Sequence, residues 1–381
     1  MSKAVLLLTQ YMSTGGLERM VMQHALQLKA LHSWQPYVFA YDNSIEEADL
    51  LPIYKKENIP TFLCQKKPGF SFSTLYSLIS FCFKHKIRVI HTHDIGPLLY
   101  ASLAKILSFG FIKIIHTQHS FAHLNERKRN RFYERYFSSF ASKLCVVAPA
   151  LADAYKTIGV AKECVLIPNG VSFSNNQRAT FEQRKLNRLQ LNYNSPRETI
   201  PSLASRRWLL CLGRMSEGKG QGTVLALWNQ LPESLRKNWA LLFIGPEKSA
   251  GFVARLQRQV AAEDFVSFLP ATQEPHKWLL QSDLFISASE FEGMPLTVVE
   301  ALGYGLPCIL SKITGHEIFA QDALLFSLTN SAAAAKSLAE RMESIERDEI
   351  NVNSSAIREK FSGKQMTQKY VEQYEKLLGA T

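Results

Sequence analysis

The stretch SASEFEGMPLTVVEALGYG, residues 287–305, carries the strongest structural pattern in the chain. The run DLFIS before it (283–287) is short and apolar, which predicts a buried strand. Pro295 is expected at the first helical position, where its missing N–H leaves no bond unmade, and two glycines at the end of the stretch supply a stop. The stretch therefore predicts strand, loop and helix, with a positive helix end at residues 293–297 that suits a phosphate group.

Two carboxylates lie in this stretch at a spacing that suits an extended ligand. Glu292 belongs to the loop, and Glu300 follows after seven intervening residues, more than one turn into the helix. One carboxylate can thus reach one end of a bound ligand while the second reaches the other end. An ordinary helix with an acidic residue near its start is the alternative interpretation of Glu300 alone.

The string EGMPLTVVEALGYGLP (292–307) resembles the E-x7-E signature of the retaining nucleotide-sugar glycosyltransferases of family 4. The resemblance implies the α/β GT-B fold, in which two doubly wound, Rossmann-like domains face each other across a cleft. It implies that Glu300 accepts the ribose hydroxyls of the donor and that Glu292 holds the sugar near the anomeric centre, with no proven role as a nucleophile. It assigns donor binding at the helix start to Gly293, Met294, Pro295, Leu296 and Thr297.

Length and composition agree with an ordinary two-domain globular protein. The chain has 381 residues, of which 46% are hydrophobic and 20% charged. No apolar run approaches the roughly 20 residues of a membrane span, and the first apolar run, 5–8, is too short for a signal peptide. The six cysteines are scattered without a CxxC pair, which predicts reduced core residues in a cytoplasmic protein.

Short apolar runs alternate with helical patterns in two series, which predicts βαβ units and parallel sheets. Residues 1–171 form the expected N-terminal, acceptor-side domain, and 172–364 the C-terminal, donor-binding domain, with a polar connector at 172–207. A helix at about 365–381 is expected to pack back on the first domain. The predicted strands are Ala4–Leu8, Tyr37–Tyr41, Thr61–Cys64, Arg88–His91, Lys113–His116, Leu144–Ala148, Val165–Ile167, Trp208–Leu212, Ala240–Ile244, Val266–Leu269, Leu284–Ser287, Cys308–Leu310 and Ala323–Phe326.

Positive charge is concentrated in the first half of the chain. Residues 1–170 hold 20 Lys+Arg against 11 Asp+Glu, and the whole chain carries a net charge of +11. This asymmetry predicts an anionic partner, either a membrane, a nucleic acid or an acidic acceptor. Five basic and four aromatic side chains crowd residues 125–137, a pattern typical of a helix in an anionic membrane interface. A buried aromatic face with solvated arginines is the alternative.

Two loops that follow predicted strands are rich in glycine. Gly15 and Gly16 open a helix after the first strand, where they let the backbone approach a ligand. The GxGxxG fingerprint of dinucleotide enzymes is absent. The segment resembles the family 4 glycine loop that lies near the donor diphosphate and the acceptor, and an ordinary structural turn is the alternative.

The second glycine-rich loop, LGRMSEGKG at 212–220, carries two cations. Arg214 offers a planar fork of donors and Lys219 a compact charge, which are the two usual ways to hold phosphate oxygens. The spacing is not that of a Walker A loop. The G-R-x4-K-G pattern resembles the diphosphate clamp of family 4, and a solvated basic loop is the alternative.

Two histidine clusters, HTHD at 91–94 and HTQH at 116–119, follow predicted strands. His91 and His93 are expected to point to opposite faces of their strand, which argues against a metal site. Thr117–His119 resembles the active-site histidine segment of family 4, so His119 is the candidate catalytic residue beside Glu292, with His93 second. Partly buried structural histidines are the alternative.

Three further segments resemble family 4 to different degrees. IPNGV at 167–171, which contains Asn169, resembles the interdomain segment and is expected to form part of the hinge and a cleft wall. IGPE at 244–247 departs from the usual glycine turn, which leaves its role open. TGHEI at 314–318 resembles the G-G-x-x-E-I/V segment imperfectly.

The resemblance implies a retaining transfer of a sugar from a UDP- or GDP-type donor to a hydroxyl acceptor. We expect a glycan or lipid-linked acceptor of cell-surface polysaccharide, lipopolysaccharide or glycolipid synthesis, and peripheral attachment to the inner face of the cytoplasmic membrane. No DxD-type site is apparent, so neither metal nor cofactor is expected. A sugar-phosphate synthase or phosphorylase of the same fold is the alternative, and a nucleic-acid-binding protein, suggested by charge alone, is a remote one.

Overall fold

The protein divides into two compact units, each built on its own parallel sheet. The first unit comprises residues 1–172 with 361–381, and the second comprises 173–360. The predicted α/β class and both doubly wound sheets are confirmed. The computed structural model describes residues 3–42, 48–66, 69–120, 128–174, 178–189, 191, 203–261, 264–347, 350 and 352–379.

The first unit contains a seven-stranded parallel sheet in the order β3-β2-β1-β4-β5-β6-β7. Its central strands are near-continuous apolar runs because helices cover both faces of a parallel sheet. Val5, Leu6, Leu7 and Leu8 of β1, for example, have no exposed surface. The strands are β1 (Lys3–Thr9), β2 (Trp34–Ala40), β3 (Thr61–Leu63), β4 (Val89–His93), β5 (Lys113–Gln118), β6 (Lys143–Val146) and β7 (Cys164–Leu166).

Helices of the first unit connect successive strands, as the alternating pattern of the sequence predicts. Local side chains fix some of their starts: Ser71 Oγ accepts a hydrogen bond from the N–H of Thr74 at the beginning of α3. The helices are α1 (Gly16–Ala30), α2 (Leu51–Lys56), α3 (Phe72–Lys84), α4 (Ile95–Leu107), α5 (Lys128–Ser138) and α6 (Pro149–Thr157), with α16 (Gly363–Leu378) from the end of the chain.

The chain returns to the first unit at residue 361 and then forms α16. The N–H of Val171 donates to the carbonyl of Phe361 at 2.8 Å, and the N–H of Gly363 donates back to Val171 at 3.0 Å. A Cβ at Gly170 would lie 2.6 Å from the carbonyl oxygen of Ser362, so only glycine allows this approach. The segment 167–171 is therefore bonded to the start of α16.

The second unit contains a six-stranded parallel sheet in the order β10-β9-β8-β11-β12-β13. The alternation of this half of the chain also predicts its strands, with bounds that differ by at most one residue. The strands are β8 (Arg207–Leu212), β9 (Trp239–Ile244), β10 (Val266–Leu269), β11 (Leu284–Ser287), β12 (Cys308–Ser311) and β13 (Leu324–Phe326). The helices are α7 (Phe181–Arg188), α8 (Gln221–Asn229), α9 (Glu233–Arg236), α10 (Phe252–Gln257), α11 (Pro275–Gln281), α12 (Leu296–Gly303), α13 (Thr314–Glu317), α14 (Ser331–Arg347) and α15 (Ser354–Lys360).

The predicted connector contains a helix that is fixed to the second sheet by buried charges. Arg184 and Arg188 of α7 each place a guanidinium nitrogen 2.5 Å from a carboxylate oxygen of Asp283, and all three side chains are buried. Asp283 also accepts the N–H of Trp208 at 2.7 Å, and these donors keep the pKa of the buried carboxyl below its ordinary value. The sequence of the connector is polar and lacks helical periodicity because ion pairs, rather than an apolar stripe, attach its helix to the sheet.

Candidate active site

Both sheets reverse their strand order at one point, between β1 and β4 and between β8 and β11. Ligands of doubly wound proteins bind outside the carboxyl ends of the strands at such a point. The sequence candidates follow these strands: the glycine loop follows β1, His93 ends β4, the basic loop follows β8, and Glu292 follows β11. The topology therefore gathers the candidates of each unit at one edge of its sheet.

Lys219 and Glu292, two separate predictions, form one ion pair. The Nζ atom of Lys219 lies 2.6 Å from Oε1 of Glu292, and both side chains are partly buried. The hydroxyl of Ser289 donates to the same carboxylate oxygen at 2.9 Å. The structure thus places an ammonium group and a carboxylate side by side at the carboxyl ends of β8 and β11.

Gly220 lets the two loops of this pair approach each other. Its φ of +72° lies in the left-handed region, and a Cβ there would come within 2.0 Å of the carbonyl oxygen of Ala288. The N–H of Glu290 also donates to the carbonyl of Gly218 at 3.0 Å. The glycines of the basic loop therefore serve to join the β8 loop to the β11 loop.

Arg214 is exposed, and the backbone around it rests on the neighbouring loop. A Cβ at Gly245 would lie 2.0 Å from the carbonyl oxygen of Gly213. The N–H of Met215 donates to the carbonyl of Pro246 at 2.9 Å, and the N–H of Lys248 donates to Met215 at 3.1 Å. The segment 244–247, whose role the sequence left open, supports the backbone of the basic loop.

The helix α12 begins one residue later than predicted. Pro295 is its N-cap, with φ −75° and ψ 111°, and Leu296 is the first helical residue, because the proline takes the extended conformation of the preceding loop. Gly293, Met294 and Pro295 are buried, whereas Leu296, Thr297 and Glu300 are half-buried. The helix end still points its first amide groups toward the carboxyl edge of the sheet.

His316, which sequence analysis did not single out, lies beside the Lys219–Glu292 pair. Gly315 lets its segment approach, since a Cβ there would lie 2.3 Å from the carbonyl oxygen of Glu292. The buried His316 has Nδ1 2.8 Å from the carbonyl of Ser311, so Nδ1 donates and Nε2 is the acceptor. Burial lowers its pKa, which keeps the ring neutral. The imperfect TGHEI motif was the available signal.

In the first unit the two histidine clusters meet. Nδ1 of His93 lies 3.1 Å from Nε2 of His119, and burial lowers the pKa of His119 to about 3. The rings of His91 and His93 lie 4.2 Å apart, so the expectation that they point to opposite faces was wrong, because residues two positions apart in a strand share a face. Within the described residues, no group of three or more His, Cys, Asp or Glu side chains could hold a metal ion.

A buried hydrogen-bonded chain lies behind His93. It runs from Thr367 through His24, Tyr374, His91 and Thr117, with donor–acceptor distances of 2.7 to 2.9 Å. Thr117 donates onward to Tyr370 at 3.2 Å, so His91 Nε2 donates to Thr117 and Tyr374 donates to His91. This chain ties α16 to α1, β4 and β5.

The remaining candidates of the first unit lie at its loops. Gly15 is the N-cap of α1, where a Cβ would meet the Glu18 carboxylate at 2.1 Å, and Gly16 is the first helical residue. Asn169 is buried in the segment bonded to α16. The positions of Gly15, Gly16 and Asn169 do not test whether these residues contact a donor or form part of a hinge, so those roles stay predictions.

The predicted membrane segment 125–137 is described only from residue 128, and its first residues, including Arg127, lie outside the described residues, as do the side chains of Lys128 and Arg129. In α5 the rings of Phe132, Tyr133 and Tyr136 are exposed, whereas Phe137 packs on the core. Three of the four aromatics thus face outward rather than forming a buried face. In the part of the chain that is described, no helix has the length and apolar character to cross a bilayer.

Comparison with known proteins covers both units. Residues 14–175 match the family model Glycosyltransferase Family 4, and residues 197–362 match Glycosyl transferases group 1. UDP-Gal:alpha-D-GlcNAc-diphosphoundecaprenol alpha-1,3-galactosyltransferase of Escherichia coli is 25% identical over 267 residues, 66% of this chain and 64% of that protein. An uncharacterized glycosyltransferase of Haemophilus influenzae is 27% identical over 114 residues, 30% of this chain and 32% of that protein. The chain therefore matches less than two thirds of the length of either relative.

Solved structures share the fold over the whole chain. HepE of Anabaena, in complex with UDP and glucose, has a TM-score of 0.81 at 17% identity, covering 98% of this chain and 100% of that one. Sucrose-phosphate synthase of Thermosynechococcus elongatus has a TM-score of 0.79 at 18% identity, covering 100% of both chains. With glycosyltransferase models matching both halves of the chain, the protein belongs to the family 4 glycosyltransferases of GT-B fold.

Proposed function

We propose that the protein is a retaining hexosyltransferase that moves a sugar from a UDP- or GDP-type donor to a hydroxyl of a glycan or lipid-linked acceptor. The observation that carries the proposal is the Lys219–Glu292 pair beside the start of α12. The E. coli relative is named for a UDP-Gal donor and a diphosphoundecaprenol acceptor, and HepE binds UDP and glucose. These names support a nucleotide-sugar donor and a lipid-linked acceptor, the expected substrates of surface polysaccharide or lipopolysaccharide synthesis.

The donor diphosphate would lie between the basic loop and the start of α12. Arg214 and Lys219 then neutralise the charge that develops on the leaving diphosphate, and the amide groups at the helix start assist them. Such fixed donors act where charge appears and need no rearrangement during the reaction. Glu300 accepts the ribose hydroxyls, one turn into the same helix.

The sugar would lie next to Glu292 because this carboxylate is adjacent to the cation that binds the diphosphate. Glu292 already accepts hydrogen bonds from Lys219 and Ser289, so its role is to hold and orient a sugar hydroxyl rather than to attack the anomeric carbon. Attack then comes from the acceptor hydroxyl on the face that the diphosphate leaves, which accounts for retention.

His119 supplies a neutral hydrogen-bonding group on the acceptor side. Its Nε2 faces His93, which leaves Nδ1 for a substrate hydroxyl. The low pKa of His119 means that the imidazole stays neutral throughout the neutral pH range. The net charge of the first half of the chain supports a further partner, an anionic membrane surface that presents a lipid-linked acceptor.

The test is thermal stabilisation of the full chain by a panel of UDP- and GDP-sugars. A ligand that binds only the folded state raises its stability as RT ln(1 + [L]/Kd), about 2.7 kcal/mol at a hundredfold excess over Kd. We expect one nucleotide class to raise the melting temperature in wild type and to act far more weakly in Arg214→Ala. Absence of stabilisation by every nucleotide sugar and by free UDP and GDP would contradict the proposal.

A further inference from the structure

A set of exposed apolar side chains lies along α3 and near the end of α4 in the first unit. Three lie along α3, one ends α4, and two lie in the turn that joins α4 to β5. Phe109 is fully exposed, Phe72 is 80% exposed and Tyr76 is 74% exposed. Isolated exposed apolar residues are ordinary, but a contiguous group marks an interaction surface. We call Phe72, Tyr76, Phe83, Leu107, Phe109 and Phe111 the aromatic face.

The two parts of this face join through one direct ring contact. Phe83 of α3 stacks on Phe111 with ring centroids 5.8 Å apart and an interplanar angle of 14°. The guanidinium of Arg88 lies 5.7 Å from the centroid of the Phe111 ring. The face is thus a single surface that starts at the carboxyl edge of the sheet, where α3 begins, and reaches the amino edge. Since α3 has 13 residues, this distance is about 20 Å.

Phe109 is held outward by a backbone conformation that its own side chain disfavours. Its φ is +50°, in the left-handed region that bulky residues rarely adopt. The turn is fixed by hydrogen bonds from the N–H of Gly110 to Lys105 and from the N–H of Phe111 to Ser108, each 3.0 Å. An exposed phenylalanine in this conformation lowers the stability of the isolated chain. We therefore interpret Phe109 as a residue that contacts a partner.

The segment that carries the aromatic face is mostly cationic. Residues 69–120 contain five Lys and Arg but a single acidic residue, Asp94, which lies at the opposite, carboxyl end of β4. Lys84, Lys86 and Arg88 are exposed at the end of α3 and directly after it. Three neighbouring cations with no carboxylate in their segment repel one another, and an anionic partner would offset that repulsion.

We propose that the aromatic face docks the first unit onto an anionic lipid bilayer, with Phe109 at the boundary between head groups and acyl chains. Aromatic rings prefer this boundary, and basic side chains at its rim bind lipid phosphates. The inference deepens the membrane partner proposed above and moves the contact from α5 to α3 and the α4–β5 turn. Because α3 begins at the carboxyl edge, where His93 and His119 lie, a lipid-linked acceptor in the same bilayer can reach that edge.

The test compares two triple variants of the full-length protein in co-sedimentation with vesicles of phosphatidylcholine plus phosphatidylglycerol. The aromatic-face variant carries Phe72→Ser, Tyr76→Ser and Phe109→Asn. The matched control carries Phe132→Ser, Tyr133→Ser and Tyr136→Ser, three exposed aromatics of α5 in the same unit. We expect at least a ~10-fold loss of binding in the first variant and less than a ~3-fold loss in the second.

Additional measurements distinguish loss of membrane binding from loss of folding and from loss of catalysis. Asparagine suits the left-handed position, so Phe109→Asn alone should leave the melting temperature unchanged or raise it. All five native tryptophans are buried, so Phe109→Trp reports the face alone, and its emission should shift to the blue on anionic vesicles. Stabilisation by nucleotide sugars should persist in the aromatic-face variant. If that stabilisation is missing in wild type while vesicle binding depends on the face, the catalytic proposal fails and this one stands.

Several outcomes would overturn the inference. Recovery of wild type only in the supernatant with anionic vesicles at low salt would refute it, and so would equal binding to vesicles of phosphatidylcholine alone. If the α5 variant loses as much vesicle binding as the aromatic-face variant, or more, the aromatic face is not the membrane contact. If wild type forms a dimer and does not bind vesicles, and the aromatic-face variant is monomeric, the face contacts a second copy of the chain instead of a membrane.

Discussion

The Nζ atom of Lys219 lies 2.6 Å from Oε1 of Glu292, although 73 positions separate the two residues in the chain. The contact exists because β8 and β11 are neighbours in the sheet and their following loops meet at its carboxyl edge. It joins a group suited to phosphate with a group suited to a sugar. The first two predictions follow from this division of roles.

Loss of either cation of the basic loop should weaken donor binding. In Lys219→Ala and Arg214→Ala, removal of one charge-assisted contact should cost about 1.5–3 kcal/mol in affinity for the nucleoside diphosphate. Isothermal titration measures the affinity, and Lys336→Ala, at an exposed lysine of α14, serves as the control. Wild-type affinity in both loop variants would remove the clamp from the mechanism.

Glu292→Gln should separate turnover from nucleotide binding. The amide keeps the shape of the side chain but removes the charge that neutralises Lys219, so the lysine becomes more available to the diphosphate. We expect free UDP or GDP to bind at least as tightly as in wild type, while kcat falls at least ~100-fold, as after removal of one fixed polar contact in a transition state. A parallel fall in nucleotide affinity would instead assign Glu292 to the diphosphate.

Activity should survive EDTA. In the proposed mechanism the two cations of the basic loop and the start of α12 neutralise the leaving diphosphate, the role that a metal ion has in metal-dependent enzymes. The measurement is transfer or donor hydrolysis after exhaustive chelation, with a metal-dependent glycosyltransferase as the positive control. Complete loss of activity that Mg²⁺ or Mn²⁺ restores would require a metal site.

Gly220→Ala should destabilise the second unit more than Gly251→Ala does. Both glycines have a φ near +75°, at +72° and +78°, so each substitution carries left-handed strain of about 1–2 kcal/mol. Only at Gly220 would the new Cβ also come within 2.0 Å of the Ala288 carbonyl, whereas nothing lies within 4 Å at Gly251. Urea unfolding compares the two, and equal losses would show that the loops do not approach as described.

The free energy of unfolding should fall as the pH drops below about 6.5, the ordinary histidine pKa. Burial lowers the pKa of His24 to about 3 in the folded chain, so between these values the unfolded chain binds the additional proton. The stabilisation is thus complete above pH 6.5 and is lost toward pH 3, by up to ~1.4 kcal/mol per pH unit for one histidine. His24→Gln should reduce this slope, and His32→Asn, at an exposed position, should not. A slope identical in wild type and His24→Gln would refute the assignment.

The elements of this fold were accessible from the sequence because their signals are local. Alternating apolar runs and helical patterns predict all thirteen strands, with bounds within two residues of those observed except at the start of β2, where Tyr37 was predicted and Trp34 is observed. The predicted start of α12 was also wrong by one residue. Pro295 was expected to be the first helical residue, but it is the N-cap, which differs from a helical residue in a single backbone dihedral. The role of the segment 244–247 was not accessible, because it consists of backbone contacts to Gly213 and Met215 that no side chain encodes.

By itself, the sequence determined that this protein has parallel sheets with glycine-rich and basic loops after particular strands, because periodicity and loop chemistry are properties of neighbouring residues. Only the tertiary structure decided which side chains meet. Strand order brings Lys219 to Glu292 and His93 to His119, and the return of the chain places Tyr374 of α16 2.7 Å from His91. The same holds for the aromatic face, since stacking of Phe83 on Phe111 depends on how α3 and the α4–β5 turn pack.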